Sequence, residues 1–196
     1  MRLSAIRRLA LSGGLVAAAF ALKYPLIGIP NVEPLTVTFF ALGYAYGPAW
    51  GAVVGVVGEL IYATFNPYGA QIFPVWIAQI IGMALAGFLG GCFRVFQPMP
   101  GGGGEARRPT SGSRRLTLAV FTLAVAGIIT TLCYDILTNL ALAWAIGPFW
   151  PTMIAALPFA LIHMTSNALL FPLIFPILRR WLVSPPSTVL GPNDAG

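Results

Sequence analysis

The chain has 196 residues, of which 58% are apolar and 8% charged, and its mean hydropathy of +0.84 lies far outside the range of soluble domains. The formal net charge of +6 raises the question of a nucleic-acid partner, but ten of the eleven basic residues fall into three clusters beside apolar runs: Arg2, Arg7 and Arg8; Arg94, Arg107, Arg108, Arg114 and Arg115; Arg179 and Arg180. That is the positive-inside pattern of a membrane protein and excludes a nucleic-acid surface as the reason for the charge.

The apolar runs are continuous and lack the alternation of barrel strands, so backbone groups in lipid are expected to pair within helices. A crossing of about 30 Å takes roughly 20 helical residues. Span 1 is expected from Arg8 to Ile27, span 2 from Ile29 to Tyr46, span 3 from Ala49 to Phe65 and span 4 from Ile72 to Val95. Gly47-Pro48 makes a tight inner turn, and "NPYGAQIFP" is an outer loop whose Pro74 suits the first turn of span 4. Residues 97–115 are rich in Gly, Pro, Ser and Arg and read as a flexible cytoplasmic linker. No G-K-[S/T] follows its glycines, so they are not a phosphate loop. Span 5 runs from Leu116 to Ile146, span 6 from Thr152 to Trp181 after the turn "GPFWP", and residues 184–196 read as a disordered cytoplasmic tail.

Placing all three basic clusters in the cytoplasm demands an even number of spans between Arg8 and Arg94 and between Arg115 and Arg179. The expected fold is therefore an all-α membrane protein: six transmembrane helices over residues 1–183, both termini cytoplasmic, in the cytoplasmic membrane of a prokaryote. The amino end also has the basic and apolar regions of a signal peptide, but cleavage there would leave five spans and spoil the parity. Cys92 and Cys133 form no CxxC and have no His/Cys cluster near them, so no disulfide framework, metal site or cofactor is expected.

Against this apolar background the polar residues stand out. Asp135 is the only charged side chain between Leu116 and Ile146. By the helical rise, Glu59 lies roughly 10 Å below the outer end of its span, Gln79 about 12 Å, and Asp135 and His163 about 16 Å. Helical spacing puts Tyr62 and Asn66 on the face of Glu59, Asn139 on that of Asp135, Asn167 on that of His163, and Trp76 near Gln79. A carboxylate at mid-membrane costs about 2.5 to 3.5 kcal/mol on insertion scales, so four helices carrying polar groups at one level point to a shared cavity open to the outer side. Interhelical hydrogen bonding is the plainer use of the same residues. The first outer loop, "KYPLIGIPNVEPLTV", holds the single outer basic residue, Lys23; its Asn31 and Glu33, beside Pro30 and Pro34, form a rigid turn able to cap that cavity. Tryptophans 50, 76, 144, 150 and 181 fall near span ends, as an aromatic belt does, and Trp76 and Trp144 are candidates for stacking on a flat ligand. In span 1, Gly13, Ala17 and Ala21, with Gly14 and Ala18 beside them, make a small-residue face that another helix can approach closely.

Taken with "IPNVEPLTV", "ALGYAYGPAWGAVVGVVGELIY", "NPYG", "YDILTNLALA" and "HMTSNALLFPLIFPIL", the order and spacing of these features resemble the substrate-binding S component of energy-coupling factor (ECF) vitamin transporters. The resemblance implies a six-helix protein that captures a vitamin or vitamin precursor in its outer half and docks on a membrane T component coupled to two ABC ATPases, with the small-residue face of span 1 as the docking surface. The two carboxylates and the aromatics favour a neutral or cationic nitrogen heterocycle, held by Glu59, Tyr62, Trp76, Gln79, Asp135, Asn139, His163 and Asn167. An intramembrane enzyme is disfavoured, because Glu59, Asp135 and His163 lie on three helices with no HExxH motif. The same polar residues would also suit a proton-coupled small-solute carrier, and the same helices a non-transporting membrane scaffold.

Overall fold

A computed structural model describes residues 5–26, 28–29, 31–66, 69, 71–96 and 112–183, and the regular structure among them is entirely helical. The elements are α1 (Ala5–Lys23), a 3-10 turn (Tyr24–Leu26), α2 (Leu35–Tyr46), α3 (Pro48–Thr64), α4 (Phe73–Phe96), α5 (Gly112–Ile146) and α6 (Phe149–Val183). Four stretches are long and apolar enough to cross a membrane: Ala5–Leu26, Phe73–Val95, Leu116–Ile146 and Phe149–Val183. The chain is thus built as a multi-pass membrane protein is. One end of the bundle carries Arg8, Arg94 and Arg179 and is called the arginine end below; the opposite end carries Lys23 and Asn31.

Two helices are shorter than a full crossing. The expectation of a span from Ile29 to Tyr46 is corrected: α2 begins only at Leu35 and has 12 residues, about 18 Å of helix. Residues 31–34 leave helical geometry because Asn31 adopts a positive φ of 59°, and a proline at 34 disfavours helical conformation at Glu33 before it. Helix α3 has 17 residues, with Pro48 in its first turn where the missing N–H is harmless. At the other boundaries, α5 starts at Gly112, inside the predicted linker, and α6 starts at Phe149, so the turn before it shrinks to Gly147-Pro148. The rest of the linker, residues 97–111, and the tail, 184–196, lie outside the described residues.

The short α2 is the centre of the bundle. Every residue from Leu35 to Tyr44 is buried, as a helix apolar on all sides must be. It packs against α1, α3, α4 and α6, while α3 pairs with α4 and α5 with α6 and α4. Around its arginine end, Phe40, Tyr44, Phe93, Phe171 and Phe175 interlock, with edge contacts of 5.1 Å between Phe40 and Phe171 and between Tyr44 and Phe175. On the α4 side no side chains intervene: a β-carbon added at Gly43 would lie 1.8 Å from the carbonyl oxygen of Gly87, and one at Gly51 2.3 Å from that oxygen. Helices α2, α3 and α4 therefore meet backbone to backbone, the close approach that glycine alone permits.

Candidate functional site

Between α4, α5 and α6, at the end away from the arginines, lies a cavity of about 600 Å³. Its walls are two facing stripes. Helix α5 supplies Tyr134, Asp135, Thr138, Asn139, Leu142 and Ile146, and α6 supplies Pro151, Thr152, Ala155, Ala156, Phe159 and Ala160, each set recurring at the spacing of one helical face. The three alanines of α6 hold the walls apart by leaving space rather than filling it. Gln79 of α4 and Asn31 of the loop before α2 complete the lining. Towards the arginine end, α5 closes on α6 at Gly127, where an added β-carbon would lie 2.6 Å from the carbonyl oxygen of Asn167. The cavity is consequently one-sided.

Asn31 is fixed from both sides: its amide donates to the carbonyl of Phe159 at 2.8 Å, and its own carbonyl accepts from Ser166 Oγ at 2.9 Å. Asn tolerates the left-handed backbone at this position better than most residues. The loop is thereby pinned across α6, over the cavity.

Behind the cavity wall runs a chain of ionisable groups. Asp135 Oδ1 lies 2.8 Å from His163 Nδ1, and His163 Nε2 lies 3.6 Å from Glu33 Oε1. Glu33 is in turn paired with Lys23, whose ammonium sits 3.6 Å from the centroid of the Tyr62 ring. Thr36 Oγ1 also reaches Glu33, at 3.4 Å. Burial alone would raise the pKa of Glu33, but the Lys23 charge and, behind it, the nearby His163 outweigh it and hold the carboxyl well below the usual carboxylate range. Tyr134 packs its ring edge-on to His163, centroids 5.7 Å apart. This four-residue chain ties α1, the loop, α6 and α5 together.

Of the residues expected to bind a ligand, Gln79, Asp135 and Asn139 line the cavity, as does Asn31 of the expected lid. Glu33, His163, Glu59, Asn167 and Tyr62 do not line it; the first four are buried, Glu59 2% exposed and Asn167 not at all, and Tyr62 lies against Lys23. The partners of His163 are Asp135 and Glu33, not Glu59. Trp76 is not at this cavity: with Ala63, Thr64, Asn66 and Gln71 it lines a smaller one of about 370 Å³ between α3 and α4. Trp144 is 80% exposed and unsuited to stacking inside. Tyr134, Thr138 and the alanine stripe of α6 were not expected at the site. Tyr134 left a signal, a hydroxyl beside Asp135; the alanines left none.

Several buried polar atoms lack a partner within the protein: Asp135 Oδ2, His163 Nε2, Glu59 Oε2, Thr131 Oγ1, and both amide atoms of Asn167. Buried polar groups without partners are rare and call for an explanation. Asp135 is the one among them that lines the cavity. Among the described residues no group of three or more His, Cys, Asp or Glu is placed to hold a metal ion.

On α1, Ser12, Val16 and Ala19 face the bundle, while Gly13, Gly14, Ala17, Ala18 and Ala21 are exposed. A β-carbon added at Gly13 or Gly14 meets nothing within 4 Å.

Compared with known proteins, the chain matches no family model, no curated protein and no solved structure.

Proposed function

We propose that this chain is the S component of an ECF-type importer, which captures a water-soluble vitamin or vitamin precursor in the cavity between α4, α5 and α6. In this reading α2 and α3 make the remaining two of six crossings, both termini lie in the cytoplasm on the arginine side, and the protein resides in the cytoplasmic membrane of a prokaryote. The observation that carries the proposal is Asp135, a buried carboxylate on the cavity wall with one oxygen bound to His163 and the other without a partner. A carboxylate so placed offers a strong acceptor to a donor-rich ligand. Gln79, Thr138 and Asn139 add polar groups around a mostly apolar lining, the composition of a small-molecule site. A flat neutral or cationic nitrogen heterocycle fits both the volume and the charge.

Uphill delivery needs an energy source. In this reading it comes from a T component with two ABC ATPases, docked on the exposed small-residue face of α1. Ala17→Leu should then abolish uptake while leaving ligand affinity unchanged, and normal uptake by this variant would remove the face from the docking role. The cavity itself is tested by native mass spectrometry of protein purified in mild detergent from rich medium, followed by denaturing extraction. A stoichiometric small molecule of vitamin mass is expected. Protein that stays empty when every common vitamin is supplied points instead to a scaffold.

The chain of titratable groups from Asp135 to Lys23 favours a second reading, a proton-coupled carrier. Uptake that persists without an ATPase partner and collapses with the proton gradient would select it.

A further inference from the structure

His163 is the only histidine of the chain, is 2% exposed, and stands between two carboxylates, with Asp135 on Nδ1 at 2.8 Å and Glu33 facing Nε2 at 3.6 Å. Glu33 already has a cation, Lys23. Among the described residues Asp135 has none apart from the imidazole. Counting charges along the chain, Lys23 balances Glu33, and only a protonated His163 balances Asp135. An unbalanced charge is expensive in such an interior, so the set favours neutrality in every state it visits.

We propose that His163 sets the charge specificity of the cavity by proton exchange: the ligand-free protein holds an imidazolium between Asp135 and Glu33, and a cationic ligand binds Asp135 with release of one proton to solvent. The inference rests on the reading of the cavity as a ligand site. The balance is simple. An N–H of the ligand cation donates to Asp135 Oδ2, the oxygen left without a partner. The positive charge it brings makes the imidazolium redundant. The proton on Nε2 departs, because Nδ1–H keeps its short bond to Asp135 Oδ1 whereas Nε2 has no partner at hydrogen-bond distance. Its exit lies past Glu33 and Lys23, whose side chains are 10% and 14% exposed. A neutral ligand brings no charge and leaves the imidazolium in place.

Other titratable groups also face this site. Helix α1 contributes Lys23, the loop Glu33, α3 Glu59 and Tyr62, and α5 Tyr134 and Asp135, with Glu33 in electrostatic reach of Glu59, Tyr62 and Tyr134; from α4 the cavity receives only the amide of Gln79. Glu59, buried without a partner for Oε2, is a spectator that lies off the cavity wall.

The test uses the full chain in detergent micelles, labelled with 15N-histidine, so that the two nitrogen resonances belong to His163 alone. Benzamidine serves as a flat cationic probe and benzamide as its neutral counterpart, with binding followed by calorimetry in buffers of different ionisation enthalpy. Expected are imidazolium shifts without ligand at neutral pH, conversion to a neutral imidazole protonated on Nδ1 with benzamidine, and release of one proton per benzamidine bound. The benzamidine Kd should fall about tenfold per unit rise in pH, as linkage of one proton requires. In His163→Gln that dependence should vanish; should this variant not fold, the wild-type resonances decide alone. A neutral His163 in the ligand-free protein overturns the proposal. Benzamidine that binds while His163 keeps its proton, or benzamide binding alone, overturns the exchange and leaves the cavity standing. Failure of both probes to bind at millimolar concentration removes the cavity reading and the exchange with it.

Discussion

The seam between α2, α3 and α4 and the gap between α5 and α6 are both built from small residues, yet one is closed and the other open. At the seam the small residues are glycines set against a neighbouring backbone, so that Gly43 and Gly51 both bear on the carbonyl of Gly87. At the gap they are alanines 155, 156 and 160 facing an α5 stripe of Tyr134, Asp135, Thr138 and Asn139. Helices can collapse onto a glycine face because nothing projects from it. They cannot collapse onto Asp135 and Asn139 without burying polar groups that have no partner, which costs about 1–3 kcal/mol for each one left unsatisfied. Small residues therefore make a seam opposite backbone and a cavity opposite polar side chains.

The largest effect on this contrast is expected from filling the seam. Gly43→Val would force its side chain into the backbone of α4, and rigid interiors respond to such overpacking with losses of about 3 kcal/mol or more. Little monodisperse protein should survive extraction and size-exclusion chromatography. Two carbons added at the gap, as in Ala156→Val, should leave the folded yield intact and affect only binding. If the two variants aggregated equally, the gap would have to be reclassified as packed core.

Next in size is removal of charge from the cavity wall. Asp135→Asn keeps the shape but loses the charged acceptor, a change worth about 1.5–3 kcal/mol, or about ten- to a hundredfold in Kd. Glu59→Gln, equally deep in the sequence pattern but off the cavity wall, should alter affinity far less. Equal losses in the two variants would show that Glu59 reaches the ligand after all. Smaller still is the loop: Asn31→Gly preserves the positive φ while removing the bond to Phe159. About 1 kcal/mol is at stake, roughly fivefold in ligand off-rate, measurable by dilution of a preloaded fluorescent or radiolabelled ligand.

These pairs also mark what the sequence could disclose. The long helices α4, α5 and α6 were legible because continuous apolar runs bounded by Arg, Gly and Pro admit few other structures in lipid. The start of α2 was not, since the apolar residues from Ile29 onward continue the pattern across two prolines, and only the backbone geometry at Asn31 and Pro34 shows where the helix begins. Depth along each helix was estimated well enough to collect Asp135, Asn139 and Gln79 at one level. Rotation about each helix axis was not: a one-position error turns a side chain by about 100°, enough to move Glu59 and Asn167 from a cavity wall into packing and Trp76 to a neighbouring groove. The alanine stripe of α6 carries no polar signature, so its role emerges only once α5 is seen opposite it.

The mildest perturbation is titration, and it separates the two regions most cleanly because the glycine contacts of the seam involve no ionisable group. Glu33 is buried, and burial raises a carboxyl pKa, but Lys23 and then His163 overcome that and hold Glu33 well below its ordinary value. A carboxylate depressed in the folded state contributes stability that is fully present above the ordinary carboxylate range; it is lost as pH falls further, because the unfolded chain takes up the proton first. The depressed Glu33 carboxyl should therefore lower the melting temperature of the wild type by a few degrees as pH falls below about 5. Lys23→Met removes the strongest cation opposing burial, so the folded-state pKa of Glu33 should rise, and with it the acid-side loss should shrink or reverse, at the expense of stability at neutral pH. A milder packing variant, Gly58→Ala, whose added carbon meets the Phe39 ring rather than backbone, should instead lower the melting temperature by the same amount at every pH. A Lys23→Met protein that melts in parallel with the wild type from pH 7 to pH 3 would show that the Lys23–Glu33 pair does not hold the loop, and that the loop is pinned over the cavity by Asn31 alone.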